Sequence, residues 1–126
     1  MSVIGIGTDI IEINRIVNMS EPAKEKLAKR ILTASEYQRY ININAQDAFL
    51  AKRWAAKEAT AKALGTGIAK GVSFQHIEIH SLASGKPILV LSDIALSLAQ
   101  EQGATQWHVS LADEKLYATA FVILSQ

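Results

Sequence analysis

Glu58 and Lys62 are the residues whose types and spacing most suggest chemistry, and they lie in the alanine-rich segment 54–65. A helix would place both side chains on one face, with Trp54 on nearly the same face. A carboxylate and an ammonium group beside an indole need a partner, because a half-buried charge is costly unless it is paired. An anion that carries a divalent metal ion would suit both groups. The alternative is an ordinary helical Glu–Lys pair worth about 0.3 kcal/mol.

Asp9 lies within an apolar, β-branched segment, residues 3–13, that predicts a strand. Aspartate is disfavoured there, so some interaction must offset its cost. Asp9 and Glu58, together with phosphate oxygens and water, would match the oxygen coordination of Mg²⁺. The alternative for Asp9 is a cap or a turn near the strand end. Gly65 and Gly67 follow Lys62 closely, and their backbone N–H groups could cradle phosphate oxygens.

Two glycine-rich segments do not match the standard nucleotide-binding motifs. Residues 5–9 begin the pattern G-x-G-x-x-G, but Ile10 occupies the position of its last glycine. In residues 65–71, Lys70 precedes the second glycine that a Walker A loop requires, instead of following it. Neither standard nucleotide-binding fold is therefore predicted.

Histidine-containing patterns favour exposed strand faces over catalytic centres. His76, Glu78 and His80 could imitate a zinc triad, but their alternation with isoleucines favours a solvent face. His108 and Ser110 could form a hydrolase dyad, but no nucleophile-elbow turn accompanies them. A ligand-lining or exposed face is the preferred interpretation of that strand.

The spacing of apolar residues predicts the elements that must hold these side chains. Ser20, Thr33 with Glu36, and Ser92 are predicted helix caps, while Gly65 and Gly103 are predicted helix stops. The predicted elements are a strand over 3–13, helices over 22–31, 33–40 and 46–64, strands over 76–80 and 88–91, a helix over 92–102, and strands over 107–111 and 116–124.

This order of elements predicts an α+β fold, with a single domain over residues 1–126 and a largely antiparallel sheet packed against the long helix 46–64. Seven alanines in that helix permit close packing. Gly5 and Gly7 alternate along the first strand, and they suggest close approach of another backbone or of a ligand.

Composition excludes several functional classes. The chain has no cysteine, which excludes disulfides, thiolate chemistry and cysteine-bound zinc and suits a cytosolic protein. No apolar run approaches the roughly 20 residues of a transmembrane helix. A net charge of +1 does not suggest a strong nonspecific nucleic-acid binder. Basic residues nevertheless cluster in places that could bind an acidic partner or form solvated helical faces, namely Lys24, Lys26, Lys29, Arg30 and Arg39, followed by Lys52, Arg53 and Lys57.

Four segments, in order along the chain, resemble the motifs of the holo-acyl-carrier-protein synthase family, the small bacterial type of 4′-phosphopantetheinyl transferase. They are GIGTDIIEINR at 5–15, FLAKRWAAKEATAKALGTG at 49–67, GKP at 85–87 and HVSL at 108–111. The chain departs from the commonest pattern at Ala112 and Asp113, where many members have a hydroxyl residue followed by histidine.

The resemblance implies that the phosphopantetheine arm of coenzyme A moves to a serine hydroxyl of apo acyl carrier protein. Adenosine 3′,5′-bisphosphate would leave, and the product would serve fatty acid biosynthesis in the cytoplasm, with no nucleic-acid or membrane partner. Asp9 and Glu58 become the Mg²⁺ ligands, and Lys62 contacts the pyrophosphate. Glu58 is the candidate general base for the serine proton, with Asp9 second. The candidates for holding the rest of coenzyme A are Arg53, Gly65, Gly67, Lys86, Pro87 and His108.

The resemblance also implies a homotrimer with sites between subunits, and a carrier-protein surface formed by Arg15 and residues 19–30, from Met19 to Arg30. Two alternatives remain open. A phosphopantetheinyl transferase of broader carrier choice is usually about twice this length and built as two similar halves. A non-catalytic coenzyme A-binding module would not require the paired carboxylates Asp9 and Glu58.

Overall fold

The computed structural model describes residues 2–126, and their helices and strands follow the predicted order. The elements are β1 (Val3–Glu12), α1 (Asn14–Val17), α2 (Glu21–Ile31), α3 (Ala34–Tyr40), α4 (Gln46–Leu64), β2 (Ile77–Ser81), β3 (Pro87–Leu91), α5 (Asp93–Glu101), β4 (Gln106–Asp113) and β5 (Tyr117–Ser125). The predicted α+β class is confirmed. Two short segments were not predicted, namely α1 and a 3-10 turn over Phe74–His76.

The three predicted cap residues occupy the N-cap positions of their helices. Ser20 Oγ accepts the backbone N–H of Ala23 at the start of α2. Thr33 and Glu36 form a reciprocal capping box at the start of α3. Ser92 is the N-cap residue of α5, but its side chain makes no capping hydrogen bond, and its hydroxyl donates to the carbonyl oxygen of His76 at 3.3 Å.

Antiparallel strand pairs form two sheets. One sheet has three strands in the order β1-β5-β4, and the other pairs β2 with β3. One face of the three-stranded sheet carries the residues that pack on α4. The opposite face, which we call the open face, leaves Ile6, Ile10 and Phe121 exposed by 60%, 59% and 40%. Such an uncovered apolar surface is typical of an interaction site.

The backbone of α4 lies directly on β1 because both elements present small residues where they meet. A Cβ atom built on Gly7 would overlap the carbonyl oxygen of Ala59, and one built on Gly5 would overlap that of Ala63. The close approach predicted from Gly5 and Gly7 is therefore made by a backbone, that of α4. Since Asp9 follows Gly7 on the same strand face, the contact sets Asp9 beside the last turns of α4.

The basic residues at 52, 53 and 57 do not form the solvated helical face that the sequence allowed. Lys52 pairs with Asp113 at the end of β4, with 3.0 Å between Nζ and Oδ1. Arg53 and Lys57 are buried. Their burial follows from the packing of α4, which has neighbours on several sides.

None of the helices in residues 2–126 combines the length and the hydropathy needed to cross a bilayer.

Gly7→Ala tests the contact between α4 and β1. We expect the free energy of unfolding to fall by about 1–3 kcal/mol or more, because the added methyl group must push α4 away from β1. Urea unfolding of the purified variant measures this loss. Gln106→Ala, at an exposed position of β4, is the control. Equal stability of the Gly7 and Gln106 variants would contradict the close packing.

Candidate active site

Asp9 and Lys62 meet at the free edge of the three-stranded sheet, where β1 is the outermost strand. Lys62 Nζ lies 2.9 Å from Asp9 Oδ1 and donates to the carbonyl oxygen of Thr8 at 3.0 Å. Lys62 thus pairs with a residue of another element, whereas an ordinary helical pair would have joined it to Glu58. Asp9 lies inside β1 opposite Ala120, so it is neither a cap nor a turn residue.

One oxygen of Asp9 is buried without a donor. Among the side-chain polar atoms of residues 2–126, Asp9 Oδ2 and Arg53 Nε are the two that are buried and lack a hydrogen-bond partner. A buried carboxylate oxygen without a partner is costly, and it calls for an explanation such as a bound ion. Asp9 Oδ2 is therefore suited to ligate a cation.

The half-buried Glu58 completes a group of two carboxylates and one ammonium. Burial raises the pKa of Glu58, and the nearby charge of Asp9 raises it further, while Lys62 acts in the opposite direction. A carboxylate whose ionisation is disfavoured by burial and by a neighbouring carboxylate forms part of a site that a divalent cation would stabilise. Hence Asp9 and Glu58 fit a magnesium ion by donor chemistry and by charge.

A cleft of about 430 Å³ opens beside Asp9 and Lys62. This volume lies within the range of small-molecule binding sites. It is bounded by residues from three strands and one helix, namely Thr8, Asp9, Ile10, Lys62, Ser110, Ala112, Thr119, Ala120 and Phe121. Part of this lining belongs to the open face of the sheet, so the cleft and the uncovered apolar surface are continuous.

Gly65 and Gly67 adopt positive φ angles of 82° and 65° directly after α4. The Gly65 N–H donates to the carbonyl oxygen of Lys62 at 3.0 Å, and the Gly67 N–H donates to that of Ala61 at 3.2 Å. These N–H groups close the C-terminus of α4, as expected for glycines that end a helix, and their contact with phosphate oxygens stays a prediction. The two glycines do place the following loop next to Lys62.

Of the predicted site residues, Asp9 and Lys62 line this cleft, whereas Glu58, Gly65 and Gly67 do not. Four others also lie outside it. Lys86 is the last residue of the connection between β2 and β3, and Pro87 is the first residue of β3. Both belong to the hairpin that forms the second sheet. His108 is exposed on the open face, where it lines a small pocket with Ser110.

The fourth of these residues, Arg53, is buried. Its guanidinium carbon lies 4.3 Å from the centre of the Phe49 ring, and Nη2 donates to the carbonyl oxygen of Ile79 at 3.5 Å. Burial lowers the pKa of Arg53 to about 10. A contact between Arg53 and a ligand would require a path past Phe49.

The histidines of β2 and its flanking turn serve structural pairs. His80 contacts Glu78, which also accepts hydrogen bonds from Thr33 and Ser35. His76 Nδ1 instead accepts the Ser73 N–H at 3.3 Å. No group of three or more His, Asp or Glu side chains within residues 2–126 converges as a metal site, which disfavours the zinc triad.

Sequence reasoning missed the ion pair between Lys57 and Glu36. The sequence predicts Glu36 only as part of a capping box, and Lys57 only as a member of a basic cluster that could bind an acidic partner or form a solvated helical face. The small residues on both sides of the Lys57–Glu58 dipeptide, namely Ala55, Ala56, Ala59, Thr60 and Ala61, were the available signal that this part of the helix packs closely.

Comparison with known proteins finds relatives that match nearly the whole chain. The sequence matches the 4′-phosphopantetheinyl transferase superfamily over residues 5–122. The holo-acyl-carrier-protein synthase of Shewanella amazonensis is 54% identical over 124 residues, covering 98% of this chain and 99% of that protein.

Two solved structures share the fold as well as the sequence. The crystal structure of the holo-acyl-carrier-protein synthase from Neisseria meningitidis has a TM-score of 0.89 and 40% identity, and the match covers 99% of this chain and 100% of that chain. The enzyme from Bacillus anthracis, solved in complex with CoA (3′,5′-ADP), has a TM-score of 0.81 and 40% identity over 98% of both chains. The chain therefore belongs to the 4′-phosphopantetheinyl transferase superfamily and, within it, to the holo-acyl-carrier-protein synthases.

Proposed function

We propose that this protein transfers the 4′-phosphopantetheine arm of coenzyme A to a serine hydroxyl of apo acyl carrier protein. The reaction depends on Mg²⁺, releases adenosine 3′,5′-bisphosphate and serves fatty acid biosynthesis, and residues 1–126 form one transferase domain. The observation that carries the proposal is the contact of Asp9 with Lys62 at the edge of a cleft, with Glu58 close enough for the charges of both to shift its pKa. The Bacillus anthracis relative, which was solved with CoA (3′,5′-ADP), supports coenzyme A as the donor substrate.

Asp9 and Glu58 are the proposed ligands of Mg²⁺. Asp9 Oδ2 has no hydrogen-bond partner, and the pKa of Glu58 is raised. Both observations indicate that a further positive charge would stabilise these two carboxylates. When bound, Mg²⁺ supplies charge neutralisation to the pyrophosphate of coenzyme A. The two carboxylates would share one cation instead of repelling each other.

Lys62 is the proposed pyrophosphate contact. Its side chain is half exposed and its ammonium group lines the cleft, so an anion can reach it without displacing the protein backbone. Phosphoryl transfer needs mainly positioning and charge stabilisation, and a cation fixed between Thr8 and Asp9 provides both. Lys62 would then balance the charge that develops on the transferred phosphoryl group.

Glu58 is the proposed general base for the serine proton, with Asp9 as the second candidate. A carboxylate beside the reacting hydroxyl group can accept its proton. Burial and the charge of Asp9 raise the pKa of Glu58 in the metal-free protein, whereas a bound cation would lower it. The base role is therefore proposed from the position of Glu58 and not from its pKa.

The rest of coenzyme A is proposed to contact Arg53, Gly65, Gly67, Lys86, Pro87 and His108. Several of these residues lie outside the Asp9 cleft of one chain, so we also propose a homotrimer in which neighbouring subunits complete each site. The open face supports this proposal, because Ile6, Ile10 and Phe121 are exposed next to the cleft. Apolar surface of this kind is stabilised when another subunit covers it.

The carrier protein is proposed to dock on Arg15 and residues 19–30. An apolar groove of about 280 Å³ with cationic edges runs along this segment, lined by Met19, Ala23, Lys26, Leu27 and Arg30. The guanidinium carbon of Arg15 lies 4.9 Å from the centre of the Trp54 ring. Trp54 precedes Glu58 by about one helical turn. An acidic carrier would therefore bind close to the reacting groups, and added salt would weaken its binding by screening.

Intact-mass spectrometry of apo acyl carrier protein tests the proposed function. Incubation with this protein, coenzyme A and Mg²⁺ should increase the carrier mass by one phosphopantetheine, and EDTA should prevent the increase. Coenzyme A binding without any mass increase, across several carriers, would favour the non-catalytic binding module. Modification of many unrelated carriers would favour the transferase of broader specificity.

Glu58→Gln should abolish transfer while the protein remains folded, because it removes both a metal ligand and the proposed base. Transfer rates, with circular dichroism as the check on folding, measure the effect. Glu101→Gln, at the exposed end of α5, should retain normal activity. Near-normal turnover by a folded Glu58 variant would refute the proposed role.

Arg15→Ala should raise the KM for carrier protein more than the KM for coenzyme A, because Arg15 belongs to the proposed docking surface. Steady-state kinetics with each substrate varied in turn gives both constants. Lys115→Ala removes an exposed cation from the β4–β5 connection, outside that surface, and should change neither. Equal increases in both KM values for the Arg15 variant would argue against docking.

Asp9→Asn should lower the pKa of Glu58 in the metal-free protein, because it removes a neighbouring negative charge. Added Mg²⁺ should also lower this pKa in the unsubstituted protein, since a bound cation favours the ionised carboxylate. Carbon-detected NMR titration of the glutamate side chains measures both shifts. An unchanged Glu58 pKa in both experiments would show that Asp9 and Glu58 do not share a site.

A further inference from the structure

Lys57 points away from the candidate cleft and is fully buried, with 0% of its surface exposed. Its ammonium group donates to Glu36 Oε1 at 2.6 Å and to the carbonyl oxygens of Ile31 at 2.6 Å and Phe74 at 3.2 Å. A lysine ammonium has three hydrogens, so each has an acceptor. The buried charge is therefore fully paired.

Glu36 is equally well satisfied, with 3% of its surface exposed. Its Oε1 also accepts the Thr33 N–H at 2.9 Å, and its Oε2 accepts the Ile79 N–H at 2.8 Å. The ion pair consequently joins α4 to the end of α2, the start of α3, the turn before β2, and β2 itself. We call this arrangement the Lys57–Glu36 pair.

The Lys57–Glu36 pair and β1 hold α4 from different sides. Successive residues of a helix are 100° apart, so Lys57 projects about a quarter of a turn from Glu58 and nearly opposite to Ala59. On the other side, Gly7 of β1 lies against Ala59. Small apolar side chains alone permit a helix to rotate or slide, whereas directional hydrogen bonds to a buried charge favour one arrangement.

We propose that Lys57 and Glu36 are positioning residues for phosphopantetheine transfer, because their buried ion pair fixes the rotation of α4 that directs Glu58 and Lys62 towards Asp9. Neither residue touches the cleft. The kinetic part of this inference rests on the proposed function, while its structural part does not. The competing explanation is that the pair contributes to stability alone, as many buried ion pairs can be replaced by apolar residues of similar size.

Three variants separate these explanations. Lys57→Met is the simplest change, but it leaves the Glu36 carboxylate buried and unpaired, so the variant can fail to fold. The double variant E36Q/K57M removes both charges at nearly constant volume, and glutamine can still complete a capping box. Leu50→Val is the matched control, because it alters a fully buried, purely apolar side chain of the same helix.

Kinetic and metal-binding measurements are made on folded protein, with urea unfolding to rank the stability of each variant. We expect E36Q/K57M to lower kcat by about 10- to 100-fold. Calorimetry should show that Mn²⁺ binding is weakened by a similar factor. The Leu50 control should change both by less than about threefold at a comparable loss of stability. Equal effects in the two variants, or none in either, would overturn the positioning role.

A crystal structure of E36Q/K57M decides the inference even if the proposed function fails. We expect Lys62 Nζ to move away from Asp9 Oδ1, from which it now lies 2.9 Å. An unchanged Lys62–Asp9 contact with Glu58 in its present place would overturn the inference. Absence of transfer by the unsubstituted protein would instead count against the proposed function, and the crystal structure would still report on the positioning of α4.

Discussion

The backbone of α4 rests directly on β1, and the position of the candidate active site depends on this contact. Gly5 and Gly7 remove side chains from the face of the strand that meets Ala59 and Ala63. Because no Cβ separates the two elements, the last turns of α4 approach closely enough for Lys62 to reach the edge of β1. Gly7, two residues before Asp9, therefore allows the site to form because it has no side chain.

The same contact places an unpartnered carboxylate oxygen and a perturbed glutamate near the edge strand of the sheet. Asp9 Oδ2 has no partner there, and burial together with the charge of Asp9 raises the pKa of Glu58. These features oppose stability in the free protein. Sites that bind ions or anionic substrates commonly keep such perturbed groups, because the ligand supplies the missing charge.

Local rules predicted most of the fold. The helix boundaries follow from the caps at Ser20 and Thr33 and from the left-handed Gly65, all of which act within one helical turn. The short helix α1 and the turn before β2 were missed, because segments of three or four residues carry no readable period. Asp9 was identified because a carboxylate conflicts with a strand, and the conflict was visible in the sequence.

The sequence by itself determined the elements, the family motifs and the set of Asp9, Glu58 and Lys62. The tertiary structure alone decided that Lys57 is buried against Glu36, 21 residues away, while Lys62 on the same helix stays in the cleft. It also decided that the Gly65 and Gly67 N–H groups close α4, and that one sheet face remains open. The physical reason is that burial depends on packing between elements distant in sequence, whereas caps and periodicity act between near neighbours.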